Sequence, residues 1–293
     1  MRTRLISSAV GLCVLFAVIL LRNTLVLPVI LGIVIAIILY ELAKAVGGQQ
    51  HKLALCTVLS YGFLSPVSQY LLMQGTNETI MQIGSMVNYL LLAVCLMLLF
   101  MDFVWHHDKF TVEQLGFMGG SMYAVSWSLT MLITLCFGGD FCKHGLFHLI
   151  MALGGAWIAD SGAYFCGVAM GKRKLCPKIS PKKTIEGFIG GIVCNAVVFV
   201  LIFMGNIWFT NRLEPHPLAE FTPMIACKAA ALGAVLAVIS VIGDLSASVI
   251  KRQKGIKDYG NIMPGHGGLM DRFDSVLFVV PAYSVFLTLF PII

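Results

Sequence analysis

Charged residues are concentrated in one segment of the chain, residues 243–275, which reads GDLSASVIKRQKGIKDYGNIMPGHGGLMDRFDS. The whole protein is only 12% charged, and this segment lies between two long apolar runs. Carboxylates bind hard divalent cations, whereas lysine and arginine bind phosphates. The mixture of both signs therefore predicts a metal-assisted site for a polyphosphate. The titratable residues concerned are Asp244, Lys251, Arg252, Lys254, Lys257, Asp258, His266, Asp271, Arg272 and Asp274.

The spacing of these residues predicts that several of them share a helix face. On a helix that continues the preceding apolar run, Asp244, Ser248 and Lys251 stand at positions i, i+4 and i+7. A carboxylate, a hydroxyl and an ammonium in this order suit a bound metal–phosphate. Asp271 and Asp274 have an i, i+3 spacing where the last apolar run begins.

The loop between these two groups is rich in glycine, which allows a backbone to approach a ligand closely. His266 lies in the middle of this loop. A lone loop histidine would be interpreted as a residue that only forms a hydrogen bond. Because His266 is surrounded by glycines and by charged residues, we interpret it as part of the site.

A second candidate is Asp160, which lies well inside the apolar run 146–170. An unpaired carboxylate at this depth costs at least a few kcal/mol. On a helix, Asp160 shares one face with Tyr164, Gly167 and Gly171. The two glycines are also typical of a helix-packing contact, but such a contact does not account for Asp160. We therefore predict that Asp160 points into an active cavity.

A third candidate is the sequence SPKKT, residues 180–184, which precedes a predicted helix that Glu186 and Gly187 open. The free amides and the dipole at a helix N-terminus favour an anion. We interpret Lys182 and Lys183, with a hydroxyl of this segment, as phosphate-binding residues, and Glu186, one turn further, as part of the same functional segment. The alternatives are a basic anchor at lipid headgroups, which we accept for residues 172–174, and a purely helix-capping role for Glu186.

Composition assigns these motifs to a membrane protein. The chain has 293 residues, of which 58% are hydrophobic, and a mean hydropathy of +0.90. These values predict an all-α, polytopic integral membrane protein. Nine apolar runs approach the roughly 20 residues that a bilayer needs: 5–21, 25–42, 53–73, 82–104, 116–137, 146–170, 185–209, 223–249 and 275–293. The first run has no small-residue cleavage site, so we interpret it as an uncleaved span.

Basic residues predict the orientation of these spans. With a cytoplasmic N-terminus, sixteen Lys and Arg residues fall in cytoplasmic loops and three in external loops, as the positive-inside rule requires. The net charge of +6 is thus a matter of topology, and a nucleic-acid partner is not expected. The expected location is a bacterial inner membrane, with the site at the cytoplasmic side.

The chain divides at about residue 140. We expect residues 1–140 to form N-terminal transmembrane helices and residues 141–293 to form the catalytic region of the same membrane-embedded unit. In the first part, Glu41 at the end of the second span is the main intramembrane charge, and Asp102 ends the fourth span. A helix-end position that faces headgroups is open for both carboxylates, and we favour it for Asp102. The nine cysteines are scattered without a CxxC pair, so neither zinc nor a disulfide framework is expected.

The signature residues resemble those of the phosphatidate cytidylyltransferase (CDP-diacylglycerol synthase) family. In this chain they read Ser248-x-Ile250-Lys251-Arg252, then Lys257-Asp258-x-Gly260, then Pro264-x-His266-Gly267-Gly268-x-x-Asp271-Arg272-x-Asp274. The sequence SPKKTIEGFIGG is similar to a second segment typical of that family. The resemblance is firm over residues 155–275. It implies the reaction of CTP with phosphatidic acid to give CDP-diacylglycerol and pyrophosphate, with Mg²⁺ and room for a second cation.

This resemblance assigns expected roles to the motif residues. Asp244, Asp271 and Asp160 are the expected metal ligands. Asp244, Asp271, Lys251, Arg252 and His266 are the expected catalytic residues. Substrate binding is expected from Ser180, Lys182, Lys183, Thr184, Glu186, Ser248, Lys257, Asp258, Arg272 and Asp274.

Other functions remain open at this stage. A lipid or polyprenol kinase, or a prenyl-phosphate sugar transferase, would also need Mg²⁺, carboxylates and basic loops. A transporter of an anionic solute would account for Asp160 and Asp244 within spans. For the leading function, CTP arrives from water and phosphatidic acid from the bilayer, so the site must open sideways to lipid. The glycine-rich faces permit a homodimer.

Overall fold

The computed structural model describes residues 21, 24–74, 78–138, 144–213, 220–262 and 267–290. The first predicted span, 5–21, lies outside the described residues except for its last residue. His266 also lies outside them.

The described residues form nine α-helices and one pair of strands, so the predicted all-α membrane fold is confirmed. The elements are α1 (Val26–Ala45), α2 (Lys52–Met73), α3 (Glu78–Trp105), α4 (Val112–Phe137), α5 (Gly145–Met170), β1 (Lys174–Cys176), β2 (Ser180–Thr184), α6 (Ile185–Leu213), α7 (Pro223–Gln253), α8 (Met270–Phe273) and α9 (Val276–Leu289). A short 3₁₀ turn, Gly48–Gln50, connects α1 to α2.

Within the described part of the chain, seven helical segments are long and apolar enough to cross a membrane, counting Met270–Leu289 as one. The predicted span 53–73 forms helix α2 but is not among the seven. The reason is its composition, because Ser60, Ser65, Ser68 and Gln69 interrupt the apolar residues. Large apolar side chains such as Met97 and Phe165 are about 70% exposed, as lipid-facing residues are (74% and 69%). The chain is an integral membrane protein.

By internal packing, the described chain divides into two compact units. The first contains α1 to α4 and the segment Lys251–Phe273, which includes the end of α7 and α8. The second contains α5, both strands, α6, α7 as far as Ile250, and α9. The functional division predicted near residue 140 stays a prediction.

Small residues bring the helices of the first unit together. A Cβ atom added at Gly62 of α2 would lie 2.6 Å from Leu39 and 2.9 Å from Ile35, both on α1. A Cβ atom at Gly32 would lie 2.6 Å from the Phe63 carbonyl oxygen. Close backbone approach at small residues is the usual way in which helices pack in a membrane.

Asp102 also joins helices of the first unit, and the expectation that it faces headgroups is wrong. Its side chain is 1% exposed on α3. Oδ2 accepts the Ala54 N–H of α2 at 2.9 Å, and Oδ1 lies 2.8 Å from His106 Nδ1. A backbone donor in the first turn of α2 has no partner within that helix. Asp102 therefore caps α2 from the neighbouring helix.

In the second unit, glycines line the contact between α5 and α6. A Cβ atom at Gly162 would lie 2.7 Å from Cys194, and one at Gly191 would lie 2.9 Å from the Ala159 carbonyl oxygen. A Cβ atom at Gly167 would lie 3.0 Å from Thr184 Oγ1, directly before α6. The glycine face predicted around Gly167 is thus a packing contact within the chain.

The strands β1 and β2 form a small antiparallel hairpin that the sequence interpretation did not predict. Lys174 pairs with Thr184, and Cys176 pairs with Ser180. Residues 180–184 therefore lie in a strand, and α6 begins directly after it at Ile185. Thr184 Oγ1 accepts the Gly187 N–H at 3.1 Å, which satisfies a free donor of the first turn of α6.

We expect Asp102→Ala to destabilise the protein, because the buried Ala54 N–H loses its acceptor. An unsatisfied buried donor costs about 1–3 kcal/mol. Thermal unfolding in detergent should show a lower midpoint for this variant. The matched control is Asp108→Ala, since Asp108 is 82% exposed and, within the described chain, pairs only with the exposed His107. Equal midpoints for the two variants would contradict the capping role.

Candidate functional site

The predicted site residues form two polar clusters, one in each compact unit. The Asp244 cluster, in the second unit, consists of Asp160, Lys183, Ser240, Asp244, Ser248, Asp274 and Ser275. The Asp271 cluster, in the first unit, consists of Glu41, Lys251, Tyr259, Gly268, Leu269, Met270 and Asp271.

An ion pair joins two motifs in the Asp244 cluster. Lys183 Nζ, at the end of β2, lies 2.6 Å from Asp244 Oδ2 of α7. The side chains are 22% and 26% exposed, so neither charge is fully solvated. Ser248, one turn further along α7, donates its hydroxyl to Asp244 Oδ1 at 3.3 Å. The shared helix face predicted for Asp244 and Ser248 is confirmed.

Asp160 is held by hydroxyl groups on both sides. Ser240 of α7 donates to Oδ1 at 3.2 Å, and Ser275 donates to Oδ2 at 2.9 Å. The charges of Lys183 and Asp244 act on this carboxylate as well. Asp160 therefore belongs to a polar group inside the unit, whereas the packing face of α5 is made by its glycines.

Asp274 and Ser275 complete this cluster at the start of α9. The Ser275 N–H donates to Asp274 Oδ1 at 2.7 Å, and the Ser275 hydroxyl lies 3.3 Å from the same oxygen. The Asp274 side chain is buried. Together with Lys183, this arrangement offers carboxylate oxygens, hydroxyls and one ammonium to a ligand.

Glu186 orders the hairpin that presents Lys183. Its Oε2 accepts the Lys172 N–H at 2.9 Å and the Arg173 N–H at 3.1 Å. The helix-only role left open for Glu186 is therefore too narrow, because this carboxylate joins the start of α6 to the chain that enters β1. Lys182 is exposed and Ser180 is partly exposed on β2.

In the Asp271 cluster, one carboxylate collects three donors. Lys251 Nζ lies 2.8 Å from Asp271 Oδ1, and the side chains are 13% and 8% exposed. Oδ2 accepts the backbone N–H groups of Tyr259 and Gly268, both at 3.0 Å. Lys251 also lies 5.5 Å from the centre of the Tyr259 ring. Asp271 thus fixes the ammonium and closes the loop that runs from Tyr259 to Gly268.

Glu41 is a buried carboxylate whose partners the sequence did not predict. A position that faces headgroups was open for it, but its side chain is only 2% exposed. Its carboxylate accepts the N–H of Leu269 at 3.0 Å and of Met270 at 2.8 Å. The available signal was its charge in the otherwise apolar helix α1, since a charge within a span is by default a functional candidate. Its distant partners could not be read from the sequence.

Four other predicted residues of the signature have exposed side chains and lie at the surface: Arg252, Lys257, Asp258 and Arg272. Lys254 forms an ion pair with Glu113 of α4. Gly267 has a positive φ of 87°, a backbone conformation that favours glycine.

The chain is similar to known proteins over most of its length. Residues 2–290 match the model of the cytidylyltransferase family. The chain is 36% identical to a phosphatidate cytidylyltransferase of Bacillus subtilis (strain 168) over 233 residues, which cover 80% of this chain and 77% of that protein.

Two further relatives carry the same name and match over about half of each chain. The Staphylococcus haemolyticus (strain JCSC1435) protein is 40% identical over 148 residues, 49% of this chain and 50% of its own length. The Haemophilus influenzae (strain ATCC 51907 / DSM 11121 / KW20 / Rd) protein is 46% identical over 143 residues, 49% of this chain and 46% of its own length.

Proposed function

The chain belongs to the cytidylyltransferase family, and we propose how its residues transfer CMP from CTP to phosphatidic acid. The products are CDP-diacylglycerol and pyrophosphate. The observation that carries this proposal is the Lys183–Asp244 ion pair, which joins the SPKKT segment to the charged end of α7. These are two of the three motifs from which the sequence predicted polyphosphate chemistry.

The reaction joins two anions, and this defines what the protein must do. A phosphate oxygen of phosphatidic acid forms a bond to the α-phosphorus of CTP, while the bond from that phosphorus to the β-phosphate oxygen breaks. Pyrophosphate leaves with the electron pair of the broken bond. Such transfers depend mainly on positioning and on electrostatic stabilisation of the phosphoryl oxygens. Cations close to a carboxylate site meet both requirements.

The residues of the Asp244 cluster fit Mg²⁺, the cation that the family resemblance implies. Within the described residues, no three His, Cys, Asp or Glu side chains are grouped to hold a metal by themselves. Mg²⁺ does not require such a group, since it commonly binds one or two carboxylates together with substrate phosphates and water. Asp244 would hold the ion, with Asp160 as a further ligand. The bound ion would neutralise phosphate oxygens and stabilise the leaving pyrophosphate.

The chain's own cations supply the remaining positive charge. Lys183 contacts Asp244, so we assign it to the phosphate oxygens of CTP. Ser248 lies against the same carboxylate and orients it. Ser180, Lys182 and Thr184 are assigned to substrate binding on the same segment, and Glu186 orders that segment.

The residues of the signature loop have corresponding assignments. Lys251 is held by Asp271, which is assigned as a metal ligand by the signature. Asp274 belongs to the Asp244 cluster. The remaining assignments for catalysis or for binding CTP and the lipid phosphate are Arg252, Lys257, Asp258, His266 and Arg272. A second cation is a further part of this proposal.

The proposed location follows from charge and from the substrates. The distribution of lysine and arginine supports a cytoplasmic N-terminus and a site at the cytoplasmic face of a bacterial inner membrane. Phosphatidic acid would enter from the bilayer and CTP from water. A homodimer stays a prediction, since the glycine contacts of α5 and α6 are used within the chain.

The position of the label in CTP distinguishes the proposed transfer from a kinase. Purified protein with Mg²⁺ and phosphatidic acid should move an α-phosphorus label from CTP into the lipid and release a γ-phosphorus label as pyrophosphate. A lipid kinase would place the γ-label in the lipid. A sugar transferase or a transporter would leave both labels in CTP. The γ-label in the lipid, or both labels retained in CTP, would contradict the proposed function.

Removing either partner of the ion pair should lower turnover sharply. We expect Lys183→Gln to lower kcat by about 10²–10³-fold, because the transition-state charge loses a positioned cation. Asp244→Asn should have an effect at least as large, since it removes the proposed metal ligand. Initial rates at saturating CTP and phosphatidic acid measure both effects.

The matched control is Lys254→Gln, which removes a cation that pairs with an exposed carboxylate, Glu113. Its kcat should stay within about twofold, as expected for an exposed ion pair. Near-normal turnover of both Lys183→Gln and Asp244→Asn, in protein that stays folded, would remove the ion pair from the mechanism.

A further inference from the structure

We propose that Glu41 is a positioning residue for the reaction, acting through the segment that carries Asp271. The proposal rests on the function proposed above and extends it to a residue of α1, outside both the signature and the SPKKT segment. Glu41 contacts no substrate in this account. Its role is to fix the backbone from which Asp271 and, through Asp271, Lys251 are held.

Three consecutive backbone donors define the geometry of this segment. The N–H of Gly268 is accepted by Asp271 at 3.0 Å, and the N–H groups of Leu269 and Met270 are accepted by the two oxygens of Glu41 at 3.0 and 2.8 Å. Both carboxylate oxygens are therefore used, one for each amide. Hydrogen bonds to a charged acceptor are about twice as strong as neutral ones, and here they are shielded from water because Glu41 is buried.

The signature glycines leave room for the Glu41 carboxylate. A Cβ atom at Gly268 would lie 2.6 Å from Glu41 Oε2, and one at Gly260 would lie 2.8 Å from the Glu41 Cδ atom. Contacts below 3.0 Å force something to move. Neither Gly260 nor Gly268 has a positive φ, so backbone conformation does not require glycine at these positions. The space that the Glu41 carboxylate occupies does.

This occupancy changes what the glycine-rich loop can bind. Successive amides in such loops often bind phosphate. Here the amides of residues 268–270 are already taken by carboxylates of the same unit, so these three amides are not free to bind phosphate. Asp271 receives a donor from Gly268 and another from Tyr259. Loosening residues 268–270 would therefore shift Asp271 and the ammonium that it holds.

A second buried carboxylate in the same unit provides the comparison. Asp102 also accepts a backbone N–H, but at the start of α2, and its hydrogen-bond partners in the described chain, Ala54 and His106, are not predicted site residues. Removing the Asp102 charge should lower stability only. Removing the Glu41 charge should lower turnover as well, since groups that orient a reacting residue typically contribute 10–100-fold.

The test is Glu41→Gln, measured by turnover and by hydrogen exchange. The glutamine amide replaces one acceptor oxygen by a donor, so one amide of Leu269 or Met270 loses its partner. We expect kcat to fall about 10–100-fold, with the KM values for CTP and phosphatidic acid changed less than about threefold. Exchange in the peptide covering residues 267–273 of the metal-free protein should become faster. Asp102→Asn should leave kcat of the folded protein and this exchange unchanged.

Each outcome decides the proposal. Unchanged exchange at residues 267–273 in Glu41→Gln would overturn the contact, and faster exchange with an unchanged kcat would overturn the positioning role. If Glu41→Gln does not fold, Glu41→Asp replaces it, because the shorter carboxylate keeps the charge but cannot reach both amides equally. A wild-type protein that transfers no CMP would refute the proposed function and with it this inference. An active wild type with an equally active Glu41→Gln would refute the inference alone.

Discussion

Carboxylates inside an apolar helical protein need donors close by, and this requirement organises the polar parts of the structure. A buried, unpaired charge is far less favourable than the same charge in water. Asp244 meets the requirement through Lys183, Asp160 through two serine hydroxyls, and Asp271 through Lys251 and two backbone amides. These contacts hold the ammonium groups of Lys183 and Lys251 and the backbone of Tyr259 and Gly268. The contacts that stabilise the carboxylates therefore also order the predicted site residues.

The same groups suit a reaction between two anions. A pairing between an ammonium and a carboxylate keeps the cation ordered in the absence of substrate, so that phosphate oxygens meet a pre-positioned charge. The Lys183 and Asp244 side chains are 22% and 26% exposed, although the Lys183 Nζ atom itself is buried. Glu41 and Asp102 differ from these residues, since both are almost fully buried and bind backbone amides. Glu41 holds the backbone of the signature segment, and Asp102 holds the start of α2.

The sequence was sufficient where a signal was local. Hydropathy predicted the helices, with boundaries close to those observed for α5 and α7, and helical spacing predicted the contact between Asp244 and Ser248. The hairpin of β1 and β2 was missed because residues 174–184 are basic and short, without the alternation that indicates a strand. The partners of Glu41 and Asp102 were missed because Leu269, Met270 and Ala54 are distant from them in sequence. Only folding brings those donors to them.

The central claim is that Asp244 holds the divalent cation to which the phosphates of CTP bind. Mn²⁺ suits the same oxygen ligands as Mg²⁺, and its binding can be followed by electron paramagnetic resonance. We expect CTP to strengthen Mn²⁺ binding to the wild-type protein and Asp244→Asn to abolish this strengthening, whereas Asp108→Asn should leave it intact. Equal CTP-dependent Mn²⁺ binding by wild-type protein and Asp244→Asn would show that Asp244 does not hold the cation.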